Sequence, residues 1–110
     1  MTEDEARERL LARQAELAEE ERISSESREP VTLQQDSVGR LSRIDALQQQ
    51  AMAQATQRRR QAESRRIVAA LARLDEGEWG YCLTCGEEIA KARLDHDPSA
   101  GQCVGCASIG

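Results

Sequence analysis

The chain has no phenylalanine, one tryptophan and one tyrosine, and both aromatics, Trp79 and Tyr81, fall in its last third. Residues 1–75 therefore have no aromatic side chain around which to build a conventional globular core. Prolines are scarce too, with only Pro30 and Pro98, and six of the seven glycines lie at or after Gly77. Long stretches before residue 76 are thus free of helix breakers. No apolar run approaches the roughly 20 residues needed to span a bilayer, so no membrane helix is expected. The opening Met1-Thr2-Glu3-Asp4-Glu5 lacks the basic and then apolar run of a secretory signal, which points to the cytoplasm. An excess of positive charge is also missing. The formal net charge of −5 over 110 residues disfavours direct DNA binding through phosphate neutralisation.

What is present divides near residue 76. Before it lies an Ala/Gln/Glu/Arg/Leu-rich segment of the kind that forms long helices and coiled coils. Residues 3–29 read as a first helix, with Glu3, Asp4 and Glu5 at the positive end of its dipole and a sparse stripe of Ala6, Leu10, Leu17 and Ile23. Pro30 stops it, because the residue before a proline is pushed out of the α region. Residues 30–40 form a bend. The second helix is expected from about Leu41, or a few residues earlier, to about Asp75, with Thr32–Gln35, Asp36 and Ser37 as competing caps. Its stripe is Leu41, Ile44, Leu47, Ala51, Ala55, Ala62, Ala69 and Leu74, with Ala55, Ala62 and Ala69 spaced by sevens.

Two polar helices joined by a short bend imply an antiparallel pair. The acidic start of the first helix, set against Arg58, Arg59, Arg60, Arg65, Arg66 and Arg73 of the second, suggests a fold about residue 35. That register places Arg65 and Arg66 beside the first few residues. The stripe would equally support an intermolecular coiled coil; a monomeric hairpin is the expectation. The arginine run reads as a solvated face rather than a nucleic-acid patch, since no aromatics are interleaved with it.

After the division the chain is small and glycine-rich, and it contains all four cysteines. Cys82-Leu83-Thr84-Cys85 is followed, seventeen residues later, by Cys103-Val104-Gly105-Cys106. Each C-x-x-C can present two thiolates from one tight turn, and two such knuckles close a tetrahedral site for one Zn2+. Four thiolates leave no open position for water, so the ion would be structural. With four thiolates and one zinc the net charge would be about −7. Two disulfides are the competing reading, disfavoured by the compartment; thioredoxin-like redox chemistry lacks its βαβ context. His96, the only histidine, reads as an exposed loop residue. Trp79, Tyr81, Ile89 and Leu94 are expected to pack beside the metal, with a short helix over Glu88–Leu94. No nucleophile–base pair is supported by spacing, so an enzyme is not expected. The architecture expected is mainly α: residues 1–75 form a long antiparallel coiled-coil hairpin with its tip at 30–40, and residues 76–110 form a C4 zinc finger.

The order Cys82-x-x-Cys85, Ile89, Arg93, Pro98, Cys103-x-x-Cys106, flanked by Gly80-Tyr81-Cys82 and Glu87-Glu88-Ile89, resembles the C4-type zinc-finger signature of the bacterial DksA/TraR family. Leu83 stands where that family usually carries an acidic residue or serine, and the helix that follows the finger in longer members is expected to be largely absent. The resemblance implies a transcription regulator that binds RNA polymerase by inserting its hairpin into the secondary channel, with ppGpp a further ligand at the polymerase interface. It places Asp36, Ser37, Val38, Gly39 and Arg40 at the partner-binding tip. Family members carry Asp-x-x-Asp-x-Ala there; Asp36 matches the first position, while Gly39 and Leu41 replace the later two. Asp36 as an N-cap remains equally open. The alternative is a coiled-coil zinc-finger adaptor that docks another protein.

Overall fold

The computed structural model of the chain describes residues 1–27 and 40–109. Four helices follow in order: α1 (Glu3–Ser27), α2 (Arg40–Glu76), α3 (Lys91–His96) and α4 (Val104–Ile109), with no strand among the described residues. The bend residues Asp36, Ser37, Val38 and Gly39 lie outside the described residues, and Arg40 opens α2.

Helix α1 begins with a reciprocal cap. The Glu5 N–H donates to Thr2 Oγ1 at 3.1 Å and the Thr2 N–H to Glu5 Oε2 at 3.4 Å, which satisfies two donors of the first turn. Helix α2 is 37 residues long. At 1.5 Å per residue it runs for about 56 Å, which accounts for most of the 59 Å long axis of the molecule.

The two helices are antiparallel, but not in the register that the terminal charges suggest. The cross-helix pairs are Arg7–Asp75 at 2.8 Å, Arg13–Glu63 at 2.8 Å and Glu21–Arg60 at 3.7 Å, and their midpoints fall between residues 38 and 41. Arg13, not the chain start, therefore faces the Glu63–Arg66 turn. Burial explains the difference. Leu10 and Ile67 are almost wholly buried, and each contributes about 1.5–3 kcal/mol by leaving water. Exposed ion pairs contribute about 0–1 kcal/mol each, so apolar matching sets the register.

The core confirms part of the expected stripe and moves the rest. Ala6, Leu10 and Leu17 of α1 are buried, while Ile23 is 51% exposed. On α2 the buried apolar residues among those described are Ile67, Ala70 and Leu74, spaced i, i+3, i+7, in place of the alanine heptad. Ala55 and Ala62 are half-buried and Ala69 is exposed. Ile44 and Leu47 are also exposed, so among the described residues the packed seam lies toward the end of the hairpin where the chain starts and α2 finishes. There it merges with Trp79, Cys82, Ile89 and Leu94 into one hydrophobic cluster. The metal unit is thus seated on the hairpin base and shares its core.

Candidate metal centre

The helix-to-finger junction is set by hydrogen bonds at the end of α2. The Gly77 N–H donates to the Leu74 carbonyl at 3.3 Å and the Glu78 N–H to the Arg73 carbonyl at 2.8 Å, with Gly77 at φ +74°. This left-handed glycine closes the helix, as C-terminal caps commonly do. The chain then turns at Trp79–Gly80, with Gly80 at φ +98°, and reaches the bridge residue Tyr81 just before Cys82. The Trp79 indole N–H donates to the Pro98 carbonyl at 2.9 Å in a buried bond, which links this stretch to the segment before the second knuckle.

The first knuckle is held by two backbone bonds: Cys82 N–H to the Glu87 carbonyl at 2.8 Å, and Gly86 N–H to the Cys82 carbonyl at 2.9 Å. Gly86 has φ +78°, a conformation that a side chain disfavours, so glycine is needed to turn the chain back after Cys85. Tyr81 and Glu88 form an isolated antiparallel bridge, with Ile89 N–H donating to the Gly80 carbonyl at 2.8 Å. Side chains alternate along this extended stretch, so Cys82 turns inward and Tyr81, expected beside the metal, is 47% exposed. The same bridge keeps Glu88 out of a helix, and α3 starts at Lys91 rather than at Glu88.

Two contacts tie the knuckle segments to each other, and a third ties α3 to the second of them. Leu83 N–H donates to the Gly101 carbonyl at 2.8 Å, the Gln102 side-chain amide to Thr84 Oγ1 at 2.9 Å, and Arg93 Nε to the Gln102 carbonyl at 2.8 Å. Cys103 sits just before α4, and the Ala107 N–H donates back to its carbonyl at 3.0 Å. These bonds bring the sulfurs of Cys82, Cys85, Cys103 and Cys106 within 4.8 Å of one another. None of the four is in a disulfide. Cys85 and Cys103 Sγ stand 3.8 Å apart. Tetrahedral zinc with Zn–S of about 2.3 Å requires sulfurs separated by about 3.8 Å, so the donor set fits one structural zinc.

The electrostatics of the cluster also fit a cation. Hydrogen bonds from the backbone at Cys85, then Cys103, pull the Cys82 thiol down to about 6, even though its burial opposes ionisation. Sharing hydrogen bonds with Cys103, then Cys82 and Cys85, pushes Cys106 up to about 12. Four thiols this close cannot all ionise without positive charge between them, and binding a divalent ion would release the remaining protons. His96 is exposed at the end of α3 and does not join the cluster.

Other contacts clamp this unit to α1. Arg9 donates to the Asp95 carbonyl at 2.7 Å, and the amino group of Met1 lies 3.6 Å from the Asp95 carboxylate. The Asp97 carboxylate accepts from the Ser99 hydroxyl at 2.6 Å and the Ser99 N–H at 3.0 Å, shaping the turn around Pro98. Neither α1 clamp was legible in the sequence, because nothing in spacing pairs Arg9 with a residue 86 positions away.

This geometry matches known proteins. The family model of the prokaryotic dksA/traR C4-type zinc finger matches residues 77–109, a stretch that contains both knuckles. Residues 77–109 thus carry the finger of that family. The RNA polymerase-binding transcription factor DksA of Haemophilus influenzae is 42% identical over 45 residues, which cover 41% of this chain and 31% of that protein. The factor of the same name from Escherichia coli K12 is 33% identical over 45 residues, covering 41% of this chain and 30% of the relative. The aligned stretch thus spans less than a third of these DksA proteins. The structure of transcription factor DksA2 from Pseudomonas aeruginosa superposes with a TM-score of 0.75 at 22% identity, over 97% of this chain and 81% of DksA2. The DksA fold therefore extends through the hairpin as well as the finger.

Proposed function

We propose that the chain is a zinc-containing transcription regulator that binds RNA polymerase through its secondary channel. The observation that supports this reading best is a DksA/TraR finger seated on the base of an antiparallel hairpin, with the DksA2 fold over nearly the whole chain. Zinc is held by Cys82, Cys85, Cys103 and Cys106 and is structural: it fixes the finger on the hairpin base and leaves the far end free to enter a channel. Residues 1–75 act as the hairpin and 76–110 as the finger. The tip, Asp36 to Arg40, is the end that would meet the interior of the enzyme, and Asp36 would act there through its charge on a metal-bearing centre. The protein works as a cytoplasmic monomer, with ppGpp as a further ligand at the polymerase interface, and with neither direct DNA binding nor enzymatic activity of its own.

The test is in vitro transcription with purified polymerase, alongside a polymerase pull-down. The expected outcome is one-to-one binding and an altered yield at some promoters. Asp36→Asn keeps capping ability and removes charge, so it should bind nearly as well and lose the transcriptional effect. Absence of polymerase binding by the zinc-loaded protein would overturn the reading in favour of an adaptor for another protein.

A further inference from the structure

The finger lies along one side of the hairpin. There His96 to Ser99 close a hollow of about 580 Å³ with Arg9, Arg13 and Arg66, and the Arg9 bond to the Asp95 carbonyl is on the same side. A helix turns by about 100° per residue, so other positions recur on the opposite side. They are Leu11, Ala15 and Ala18 of α1, and Leu71, Val68 and Ser64 of α2. The Arg7–Asp75 pair at 2.8 Å marks the base end of this strip and joins its two halves. Leu11 follows Arg7 by one helical turn and Leu71 precedes Asp75 by one, so both flank the same seam. Leu11 is 49% exposed and Val68 57%; Ala15 and Ala18 are exposed, and Leu71 and Ser64 half-buried. In a chain with 32% charged residues, these six positions carry none.

Two features of the strip say what covers it. Without charge, it offers nothing to a nucleic acid or to a strongly charged protein face. It is also graded in size. The large side chains, Leu11, Val68 and Leu71, crowd the base half, whereas Ala15, Ala18 and Ser64 lie further toward the bend. Two such strips laid parallel would set large against large and leave small facing small. Turned end for end about a two-fold axis, they set Leu11 of each copy over Ala18 of the other, so that large meets small along the whole length. The strip is therefore complementary to itself in one orientation.

We propose that this face is a self-association surface, on which a second copy of the chain stacks antiparallel about a two-fold axis. Helix α1 lies on α1 and α2 on α2, and both fingers face outward, clear of the contact. About 15 residues of each helix take part, a length of about 22 Å, and two helices side by side are about 20 Å wide. The contact thus covers about 450 Å² on each copy, or about 900 Å² in all, below the roughly 1,200 Å² of a stable interface. The dimer is accordingly reversible, with a dissociation constant of about 100 μM. The monomer remains the form present at low concentration, and the association stands whether or not the chain binds polymerase.

The test is sedimentation equilibrium of the full, zinc-loaded chain from about 5 μM to about 1 mM, where a reversible monomer–dimer equilibrium is expected. Each copy has a formal net charge of −5 while the contact itself has none, so added salt should strengthen the association. Leu11→Lys and Ala18→Glu, both at exposed positions, should each weaken it by about tenfold or more with helix content unchanged. Combined in one chain, the two substitutions set opposite charges against each other across the axis and should restore most of the affinity. Ala12→Glu, which changes a residue on the finger side of α1, should leave it as it was. A chain that stays monomeric at about 1 mM overturns the proposal and gives the strip to another protein. So does an association that Leu11→Lys leaves intact, that added salt dissolves, or that the double variant forms no better than either single one.

Discussion

Leu10 and Leu11 are neighbours in α1 with opposite surroundings, and this makes a sharp test of the shared core. Leu10 is 2% exposed, in the cluster with Ile67 and Trp79, whereas Leu11 is 49% exposed. Truncating a leucine to alanine removes three methyl or methylene groups, about 2.4 kcal/mol of transfer free energy when fully buried. The cavity left behind raises this to about 3–5 kcal/mol, since close-packed neighbours relax only in part. At Leu11 about half of the transfer term remains and water fills the gap, so the cost is about 1 kcal/mol or less. Helix propensity is similar in both substitutions and cancels in the comparison. For a domain whose total stability is about 5–15 kcal/mol, Leu10→Ala consumes a large part of it. The assay is urea unfolding of the zinc-loaded protein, followed by circular dichroism and by the fluorescence of Trp79, the single tryptophan. Leu10→Ala is expected to lower the midpoint strongly in both signals together, and Leu11→Ala only slightly. Equal costs at the two positions would refute the burial argument. A Leu10→Ala protein whose helix signal weakens while the Trp79 transition stays put would refute the single shared core.

Three further outcomes follow from the same geometry. Chelation of zinc is expected to expose Trp79 and also to lower the melting temperature of the helices, because Cys82, Ile89 and Leu94 belong to the same cluster as Leu10 and Ile67; a helix melt unchanged by chelator would contradict this. Trp79→Phe keeps one aromatic ring but removes the N–H-bearing ring of the indole, leaving the buried Pro98 carbonyl without its donor and a small gap beside it, so it should cost at least about 1–3 kcal/mol in the same unfolding experiment. Hydrogen bonding from Arg13 holds the Glu63 carboxyl below the usual glutamate range, with the two donors at 2.8 and 3.0 Å. A depressed folded-state value means that the contribution is present above the ordinary glutamate pKa and is lost as pH falls through the folded one. Stability measured downward through that range should therefore fall less steeply in Glu63→Gln. Because Arg13 is more than a third exposed, the pair is expected to be worth no more than about 1 kcal/mol in a double-mutant cycle.

Much of this molecule is determined locally, and local features can be read along the chain. The paired C-x-x-C turns, Gly86 after the first of them and the breaker-free run from Leu41 to Asp75 depend on a few adjacent residues each. They therefore specify a four-sulfur centre and two long helices without reference to the rest of the fold. The resemblance to the DksA/TraR finger rests on the same local pattern, and so it holds over residues 77–109. Other features depend on which surfaces meet, and sequence periodicity does not encode that. Terminal charges suggested a register about residue 35, but burying Leu10 and Ile67 in one cluster sets it several residues further on, because apolar burial outweighs exposed ion pairs. The alanine heptad looked like a seam and was displaced by Ile67, Ala70 and Leu74 once the finger settled on the hairpin base. Arg73 reads in sequence as one more cation in a last helical turn. Only the packing of the finger against α2, with Leu83 and Gly101 beside it, turns that cation into a buried charge, since burial is a property of the assembled fold and not of the residue.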